Sequence, residues 1–334
     1  MALRAVAAIS LSGRHAAAGR QAAAGLDAWA GLAGARLRVE DDRSDPAETA
    51  RLYGQLASGA DIVFGPYGSG AARAAARALA GSHAPVWNHG GAALDRPVAA
   101  RFIDVLGAAE RYWQGLAHAL HHDGVDLNRV VIVHADSGFG RATAEGARRA
   151  LQAAGTEPLA VIKRGEGLRE AAFEAALRAG PSCVVGCCGI DDDLALGRRL
   201  AGAGPAVGLV VCGVGLAAQR LGAAIAGWLG PSQWWPGGPP LPVDLGPGAD
   251  YPAAQALAAG LVAQQALELA GSSAPEAVWQ AALGLRTRTF LGPFAVDGDG
   301  RQTAHAPALV RWVRRRGRLF REAAWLPDGA PARA

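Results

Sequence analysis

The sequence predicts an α/β protein whose parallel sheets are covered by helices on both faces. Short apolar runs alternate with alanine-rich helical stretches at intervals of roughly 20 to 30 residues. The apolar runs are continuous, which is typical of strands buried on both faces of a parallel sheet. With 334 residues, the chain has the length of about two domains of roughly 150 residues each.

The elements follow from this alternation. The runs predicted as strands are Leu3–Ser10, Arg36–Glu40, Asp61–Phe64, Pro85–Asn88, Arg101–Val105, Arg129–His134, Leu159–Lys163, Cys183–Gly186, Gly208–Cys212 and Ala226–Leu229. Helices are predicted between most of them, for example at Ala16–Leu32, Pro46–Leu56, Gly70–Ala80, Tyr112–His122, Gly140–Ala153 and Asp192–Ala203. Asp45 is a capping residue and Pro46 takes a favoured first-turn position, so a helix is expected to begin at this pair.

The pattern changes after Gly230. The stretch from Pro231 to Gly248 is rich in proline and glycine and is interpreted as a crossing segment, which a long helix at Pro252–Ala270 follows. From Arg288 onward the chain is predicted to form strands and turns, with a turn at Asp297–Gly300. Ala308–Val313 and Leu319–Trp325 are predicted to form a hairpin around an arginine-rich turn, Arg314–Gly317.

Composition excludes several classes of protein. The chain is 51% hydrophobic and 19% charged, which indicates a large folded core and not a disordered chain. No apolar run reaches the ~18 to 20 residues that cross a bilayer, so no membrane insertion is expected. The net charge is only +4, which argues against nucleic acid as a partner, and the arginines at 311–321 are expected to decorate the hairpin.

The cysteines and the amino terminus carry little functional signal. Cys183, Cys187, Cys188 and Cys212 form no C-x-x-C pair, so neither a structural zinc site nor a thioredoxin-type motif is expected. Buried free thiols on strands are favoured over a Cys187–Cys188 disulfide. The chain starts directly on a predicted strand, without the pattern of a signal peptide. A cytoplasmic protein and a trimmed mature form both stay open on this evidence.

The segment Gly65–Gly70 follows a predicted strand and opens a helix. Its small residues, including Gly68, let a ligand approach the backbone, and the helix start offers free N–H groups beside the Ser69 hydroxyl. This pattern suits a carboxylate or another polar group. It is not a P-loop, because Ala71 stands where lysine is required. The alternative is an ordinary tight turn with Ser69 as the N-cap.

The segment Trp87–Ala92 follows the next strand. Gly90 and Gly91 expose backbone N–H groups at the carboxyl end of a strand, where open α/β sheets bind ligands. A His-Gly-Gly oxyanion loop of an esterase is the alternative, but the chain has no Gly-x-Ser-x-Gly sequence to supply its nucleophile. His89 is equally consistent with a loop histidine bonded to backbone.

Two later motifs are weaker. Cys212–Ala218 matches G-x-G-x-x-A after a strand, but no acidic residue follows at the spacing of a dinucleotide site, so a strand-to-helix turn is favoured. Asp191, Asp192 and Asp193 stand at a predicted helix start, where acids suit the helix dipole. The functional alternative is that Asp191 pairs with a ligand cation.

Several segments taken together resemble one family in their order and spacing. The segments are Leu11–Gly13 with Gly19, Glu40–Asp42 with Ser44–Pro46, Gly65–Gly70, Pro85–Gly91, Gly230–Trp234, and Leu291–Phe294 with Asp297 and Gly300. They resemble the leucine/isoleucine/valine-binding-protein type of periplasmic substrate-binding protein, the type I class that serves branched-chain amino acid ABC transporters. The resemblance covers nearly the whole chain.

The resemblance implies two doubly wound parallel-sheet lobes joined by three hinge crossings, with the ligand clamped between the lobes by hinge closure. Lobe one would hold residues 1–107 and 240–298. Lobe two would hold residues 108–239 and 299–334.

The resemblance also implies a set of ligand contacts. The ligand carboxylate would meet Ser69 after the third strand and the backbone at Gly90 and Ala92 after the fourth. Ala92 replaces the family's usual hydroxyl residue, which Asn88 or His89 would have to offset. The remaining expected contacts are Ser12, Tyr67, Gly68, Gly91, Tyr251, and, on lobe two, Phe139, Gly189 and Asp191.

One departure from the family bears on the ligand. Members that bind α-amino acids hold the ammonium with an aromatic residue and an acid on lobe two, whereas the corresponding stretches here read Cys188–Ile190 and Gly213–Gly215. A buried ammonium without a partner costs several kcal/mol. Either Asp191 or a neighbour pairs with the ammonium of an amino acid, or the ligand is not a free α-amino acid. Of the two, a small carboxylate, amide or other polar organic molecule is favoured.

The function implied is the solute-binding component of an ABC-type importer, which acts in the periplasm with permease subunits as partners. A cytoplasmic sensor of the same fold, acting on a regulator, is the alternative. An enzyme is less favoured, because no catalytic residue, metal site or cofactor is indicated by the sequence.

Overall fold

The computed structural model describes residues 2–94, 100–164 and 168–327. The described chain divides into two compact units. The first comprises the residues up to Ala108 together with Pro239–His305, and the second comprises Ala109–Gly238 and the residues from Ala306 on.

Strands and helices alternate along most of the described chain. The strands are β1 (Arg4–Ile9), β2 (Arg36–Asp41), β3 (Ile62–Phe64), β4 (Val86–Asn88), β5 (Phe102–Asp104), β6 (Val130–His134), β7 (Ala160–Lys163), β8 (Cys183–Cys187), β9 (Ala206–Leu209), β10 (Leu229–Ser232), β11 (Thr287–Thr289), β12 (Gly292–Phe294), β13 (Ala308–Arg315) and β14 (Arg318–Trp325). The helices are α1 (Ala16–Ala33), α2 (Pro46–Leu56), α3 (Ser69–Ala78), α4 (Leu116–His122), α5 (Gly138–Ala153), α6 (Leu168–Arg178), α7 (Ile190–Leu200), α8 (Leu216–Leu221), α9 (Tyr251–Ala270) and α10 (Pro275–Gly284).

The first unit is built on a parallel sheet in the order β2-β1-β3-β4-β5. β3 and β4 are buried at every position, as continuous apolar strands require. The helices α2 and α3 cover one face of this sheet, and α1 and α9 cover the other. Since the carboxyl ends of parallel strands share one edge, the loops that follow β1, β3 and β4 meet at that edge.

The helices α1 and α9 pack closely because each presents glycine to the other. A Cβ at Gly25 would stand 2.0 Å from the carbonyl oxygen of Ala253, and a Cβ at Gly260 would stand 2.2 Å from the ring of Trp29. The Trp29 ring is fully buried and meets Phe64 edge-on at 5.0 Å between ring centroids. This helix pair therefore seals one face of the first sheet.

The second unit is built on a seven-stranded sheet in the order β14-β13-β10-β9-β8-β6-β7. The strands from β6 to β10 are parallel, whereas β13 runs antiparallel to β10 and β14 antiparallel to β13. The hairpin of β13 and β14 confirms the predicted one, and its turn places Arg316 (φ 49°) and Gly317 (φ 79°) in the left-handed region. The predicted α/β class with parallel, helix-covered sheets is thus observed in both units.

Several predicted elements differ from the structure. The strand expected at Gly208–Cys212 ends at Leu209, and a 3-10 turn occupies Val210–Gly213. The strand expected at Ala226–Leu229 begins only at Leu229, because the chain turns at Gly222 and Gly227, both with positive φ. The helix expected from Tyr112 begins at Leu116.

The boundary near residue 298 also differs. Residues 299–305 are expected in the second lobe but belong to the first unit. The Asp104 N–H donates to the Gly300 carbonyl at 2.8 Å, and Val296 and Gln302 form an antiparallel bridge. These bonds extend the first unit to His305. Residues 328–334, also expected in the second lobe, lie outside the described residues.

Gly260→Ala is expected to destabilise the protein. Its Cβ has no space against the Trp29 ring, and overpacking of this kind costs about 1–3 kcal/mol. Gly31→Ala, in α1 with no atom within 4 Å of the new Cβ, is the control, and it should stabilise by about 0.5–1 kcal/mol. Urea unfolding followed by tryptophan fluorescence measures both. Equal effects of the two substitutions would contradict the close-packing account.

Candidate functional site

The loops after β3 and β4 lie side by side at the carboxyl edge of the first sheet. Tyr67 and Gly90 form a parallel bridge, and the Gly68 N–H donates to the Gly90 carbonyl at 2.9 Å. A Cβ at Gly90 would stand 2.6 Å from both Pro66 O and Tyr67 Cα, so only glycine permits this approach. The structure therefore joins the two glycine-rich segments that the sequence singled out separately.

The helix α3 begins at Ser69 with an uncapped amino terminus. Gly68 occupies the N-cap position with φ 97° and provides no side chain to cap the helix. Among the described residues, the N–H groups of Ser69, Gly70 and Ala71 have no acceptor, whereas that of Ala72 bonds to the Gly68 carbonyl. Three free donors and the positive end of the helix dipole suit an anion. The alternative in which Ser69 is the N-cap is wrong.

The Ser69 hydroxyl adds a fourth donor. Its oxygen accepts the Ala93 N–H at 3.1 Å, which fixes the side chain while its own proton stays available to donate. Ser69 is half-buried and Gly70 is exposed, so the helix start is accessible within the first unit. Ala92 lies between Gly91 and Ala93, the residue that bonds to Ser69, and its side chain adds no hydroxyl, as the sequence indicated.

Asn88 shapes the loop after β4. Its Oδ1 accepts the Gly91 N–H at 2.9 Å, and its Nδ2 donates to Gly91 O at 3.0 Å and to Asp104 Oδ1 at 2.7 Å. The side chain is fully buried. Asn88 thus holds Gly91 in place instead of presenting the free amide that a ligand contact requires.

His89 is fully buried, and neither ring nitrogen reaches hydrogen-bond geometry with a described residue. Burial lowers the pKa of His89 to about 4, although the nearby Gly65 backbone favours the charged ring. The imidazole is therefore neutral near pH 7 and supplies no positive charge for an anion. From the sequence, His89 is either a loop histidine bonded to backbone or a ligand contact, and only the packing of the folded unit reveals its burial.

Tyr67 and Tyr251 meet at the same edge, with 2.8 Å between their hydroxyl oxygens. Asp250 caps α9 by accepting the Tyr251 N–H at 2.8 Å. Tyr67 is buried, and burial raises its pKa to about 12. His15, in the loop after β1, has its ring 6.4 Å from that of Tyr67. The two tyrosines form an aromatic, hydroxyl-bearing wall beside the α3 start.

Ser12 is held by the loop after β2. Its hydroxyl donates to Asp41 Oδ2 at 2.7 Å, and its carbonyl accepts the Ser44 hydroxyl at 2.8 Å. Burial raises the pKa of Asp41, but the hydrogen bonds from Ser12, Arg43 and Leu11 outweigh it and hold the pKa below its usual value. Asp41 is therefore a fixed anion that engages Ser12, a role that the sequence did not indicate.

The three expected residues of the second unit lie at the carboxyl edge of its own sheet. Phe139, in the first turn of α5, meets the Tyr112 ring edge-on at 5.6 Å. Gly189 is the N-cap of α7, and Asp191 is exposed in the first turn of that helix. Because β6 and β8 are neighbouring strands, these loops lie close together in the second unit.

Sequence analysis placed Asp193 at the start of a helix but missed its burial. It is fully buried, and its Oδ2 accepts the Val211 N–H at 2.9 Å, which holds the 3-10 turn after β9. Burial raises the pKa of Asp193 to about 7. The signal lay in its spacing, since Asp193 stands three, four and seven residues before the buried Leu196, Gly197 and Leu200 of α7, on a helix face where an acid is unusual.

Three of the four cysteines lie near enough to this carboxyl to be influenced by its charge. All four are free and buried, and burial raises the pKa of Cys187, Cys188 and Cys212, with Asp193 adding to the effect. Cys212 lies in the 3-10 turn and not on a strand as predicted. In the described part of the chain, no cluster of three or more His, Cys, Asp or Glu side chains is arranged to hold a metal ion.

Parallel α/β sheets with an open helix terminus at the carboxyl edge are typical of folds that bind ligands at that edge. Residues 4–318 match the sequence profile of a family described as periplasmic binding protein. The chain therefore belongs to the periplasmic binding protein family. A search of curated proteins gives no significant match. Within the described ranges, none of the helices combines the length and apolar character needed to cross a membrane.

Several solved structures similar to this chain are described as binding proteins. A leucine-binding protein, LivK, from Thermotoga maritima superposes with a TM-score of 0.77 at 18% identity, covering 98% of this chain and 99% of that one. An ABC-transporter solute-binding protein from R. palustris in complex with benzoate gives 0.75 at 17% identity, covering 99% of both chains. Another from R. palustris, in complex with 4-hydroxybenzoate, gives 0.82 at 16% identity, covering 99% and 98%. At these identities the likeness establishes the two-lobe fold.

Asp193→Asn is expected to change how stability depends on pH. Because the pKa of Asp193 is raised to about 7 in the folded protein, the carboxyl stabilises fully only below its unfolded value of about 4 and progressively less as the pH rises through about 7. The free energy of unfolding of the wild type should therefore fall relative to that of the variant between about pH 4 and about pH 7. Urea unfolding at a series of pH values measures this, with the exposed Asp192→Asn as control. Parallel curves for wild type and Asp193→Asn would contradict the assignment.

Tyr67→Phe and Tyr251→Phe are expected to be coupled. Each removes one partner of the same hydrogen bond, so the double variant should lose less stability than the two single variants together, by about 0.5–1.5 kcal/mol. A double-mutant cycle from urea unfolding gives this coupling energy. Strict additivity would show that the hydroxyl pair does not hold α9 to the loop after β3.

Proposed function

We propose that this chain is the solute-binding component of an ABC-type importer and that its solute is a small organic carboxylate. The observation that carries the proposal is the open start of α3, where the N–H groups of Ser69, Gly70 and Ala71 lack acceptors among the described residues. Membership of the periplasmic binding protein family supports the transport role. It also supports a periplasmic location and permease subunits as partners.

The donor set suits a carboxylate better than a neutral ligand. Backbone N–H groups at a helix start and the Ser69 hydroxyl are all donors, and hydrogen bonds to an ionised acceptor contribute about 1.5–3 kcal/mol each. His89 is neutral and cannot balance the anion. The helix dipole and the fixed amides therefore supply the positive potential at this site.

The ligand proposed is a carboxylate without an α-ammonium group. In the second unit, the turns after β8 and β9 present Gly189 and Val214, neither of which can balance a cation. Asp193 is buried and its pKa is raised toward neutrality, so it is a poor partner for an ammonium. Tyr67 and Tyr251 offer aromatic surface beside the carboxylate seat. Two similar structures hold benzoate and 4-hydroxybenzoate, which supports an aromatic acid as the first candidate.

A thermal-shift panel tests the ligand class. Benzoate and 4-hydroxybenzoate are expected to raise the melting temperature, since a ligand at 100 times its Kd stabilises the folded state by about 2.7 kcal/mol. Benzamide, which has the same shape without the charge, should give a much smaller shift. Stabilisation by leucine and not by the benzoates would favour an amino acid and would point to Asp191 as the partner of its ammonium.

Ser69→Ala is expected to weaken carboxylate binding by about 1–3 kcal/mol, because it removes a hydroxyl that donates to the anion. Ser272→Ala is the matched control, since the Ser272 hydroxyl likewise accepts a backbone N–H, that of Ala274 at 3.0 Å, but lies in the loop after α9. Isothermal titration with the best ligand of the panel measures both. An unchanged Kd for Ser69→Ala would remove Ser69 from the site.

A further inference from the structure

The positive charge of the chain is concentrated on one hairpin. The segment Ala308–Trp325 contains six arginines and one glutamate, a net charge of +5, whereas the whole chain has a formal charge of +4. All other residues together therefore sum to −1. Such a concentration produces a local positive potential that the modest net charge conceals.

Three of the six arginines serve the fold of the second unit. Arg311 pairs with Asp123, and Arg315 pairs with Glu322 at 2.7 Å. Arg321 is buried, donates to the Gly213 carbonyl and lies over the Trp312 ring. Arg311 and Arg321 hold the hairpin against the end of α4 and the 3-10 turn, and Arg315 links the two strands of the hairpin.

The other three arginines surround the tip of the hairpin and lack such roles. Arg314, Arg316 and Arg318 are exposed and, within the described residues, make no ion pair or hydrogen bond through their guanidinium groups. Arg316 takes a left-handed conformation with φ 49°, a position that favours asparagine or glycine. The turn thus carries a long cation where the backbone alone would select a small residue.

The hairpin also presents an open sheet edge. The strand β14 is the last strand of the seven-stranded sheet, so its outer backbone groups pair with no other strand of the described chain. Arg318 and Phe320 share one face of β14, because residues two apart on a strand point to the same side, and Phe320 is 46% exposed. An open edge with an apolar residue and flanking cations can accept an added strand of opposite charge.

We propose that β14 and the tip of this hairpin form a docking surface for an acidic, extended segment of a partner protein. The segment adds to the outer edge of β14, its carboxylates pair with Arg314, Arg316 and Arg318, and an apolar side chain covers Phe320. The surface lies wholly within the second unit and does not depend on the carboxylate seat of the first.

Fluorescence anisotropy with a labelled peptide of alternating glutamate and valine tests the proposal. The probe should bind the full chain, and Arg314→Ser with Arg316→Ser and Arg318→Ser in one variant should weaken binding by about tenfold or more, because three ion pairs are lost together. The matched control combines Arg178→Ser, Arg198→Ser and Arg220→Ser, which removes the same charge from exposed sites of the same unit and should change the Kd by less than about twofold. Equal losses of affinity in the two variants would show that net charge alone explains the binding, and this result would overturn the proposal.

A second peptide and a vesicle assay distinguish an added protein strand from an anionic ligand of another kind. A peptide of alternating glutamate and proline has the same charge but cannot pair as a strand, so it should bind about fivefold more weakly or worse; equal binding overturns strand addition. Vesicles with about 30 mol% phosphatidylglycerol test a lipid surface, and arginine-dependent binding to vesicles without binding to the peptide overturns the protein partner.

The hairpin variant could also self-associate while the wild type fails to bind the peptide. That result would show that the arginines only protect the edge of β14 from pairing with another copy of the chain, and it would overturn the proposal. The thermal shift with benzoate should be the same for both triple variants, because the carboxylate seat lies in the first unit. A failure of the proposed importer function would therefore appear in the benzoate assay and not in the peptide-binding assay.

Discussion

The contact of Gly90 with the loop after β3 is the constraint that shapes the candidate site. Because Gly90 has no side chain, the backbone of the β4 loop lies directly against Pro66 and Tyr67. This contact aligns the loop with the start of α3, where Ser69 bonds to Ala93. The donors of the site are mostly backbone groups, so their positions are set by strand pairing and not by rotamer choice.

Helix packing in the first unit fixes the carboxyl edge of its sheet. The α1–α9 pair closes over the sheet through glycines, and the buried rings of Trp29 and Phe64 fill the space between helix and strands. The same close packing fixes where α9 begins, and therefore where Tyr251 meets Tyr67. A loosely packed helix could not hold two hydroxyl groups at hydrogen-bond distance, since side-chain geometry at a site needs support from the core.

The second unit uses buried polar groups differently. Asp193 fastens the 3-10 turn after β9 from inside α7, and Arg321 reaches the end of that turn from the hairpin. Burying either side chain costs free energy, because each carries an ionisable group. Both contact the turn at which the chain leaves the parallel strand β9. The carboxyl edge of this sheet is thus shaped by internal hydrogen bonds, while the outward charge of the unit is concentrated at the far end of the hairpin.

The order of the elements could be predicted from the amino-acid sequence, because apolar runs, the Asp45–Pro46 cap and the Asp297–Gly300 turn are local signals with local causes. The segments Gly65–Gly70 and Trp87–Ala92 could also be singled out, since glycines after strands are needed wherever backbone must be approached closely. The burial of His89, the engagement of Ser12 by Asp41 and the hydrogen bond from Val211 to Asp193 emerged only from the folded chain. Each depends on groups that are distant in sequence. Local sequence permits several side-chain orientations, and contacts with those distant groups select one of them. The same distant partners set the free energy of burying a polar side chain.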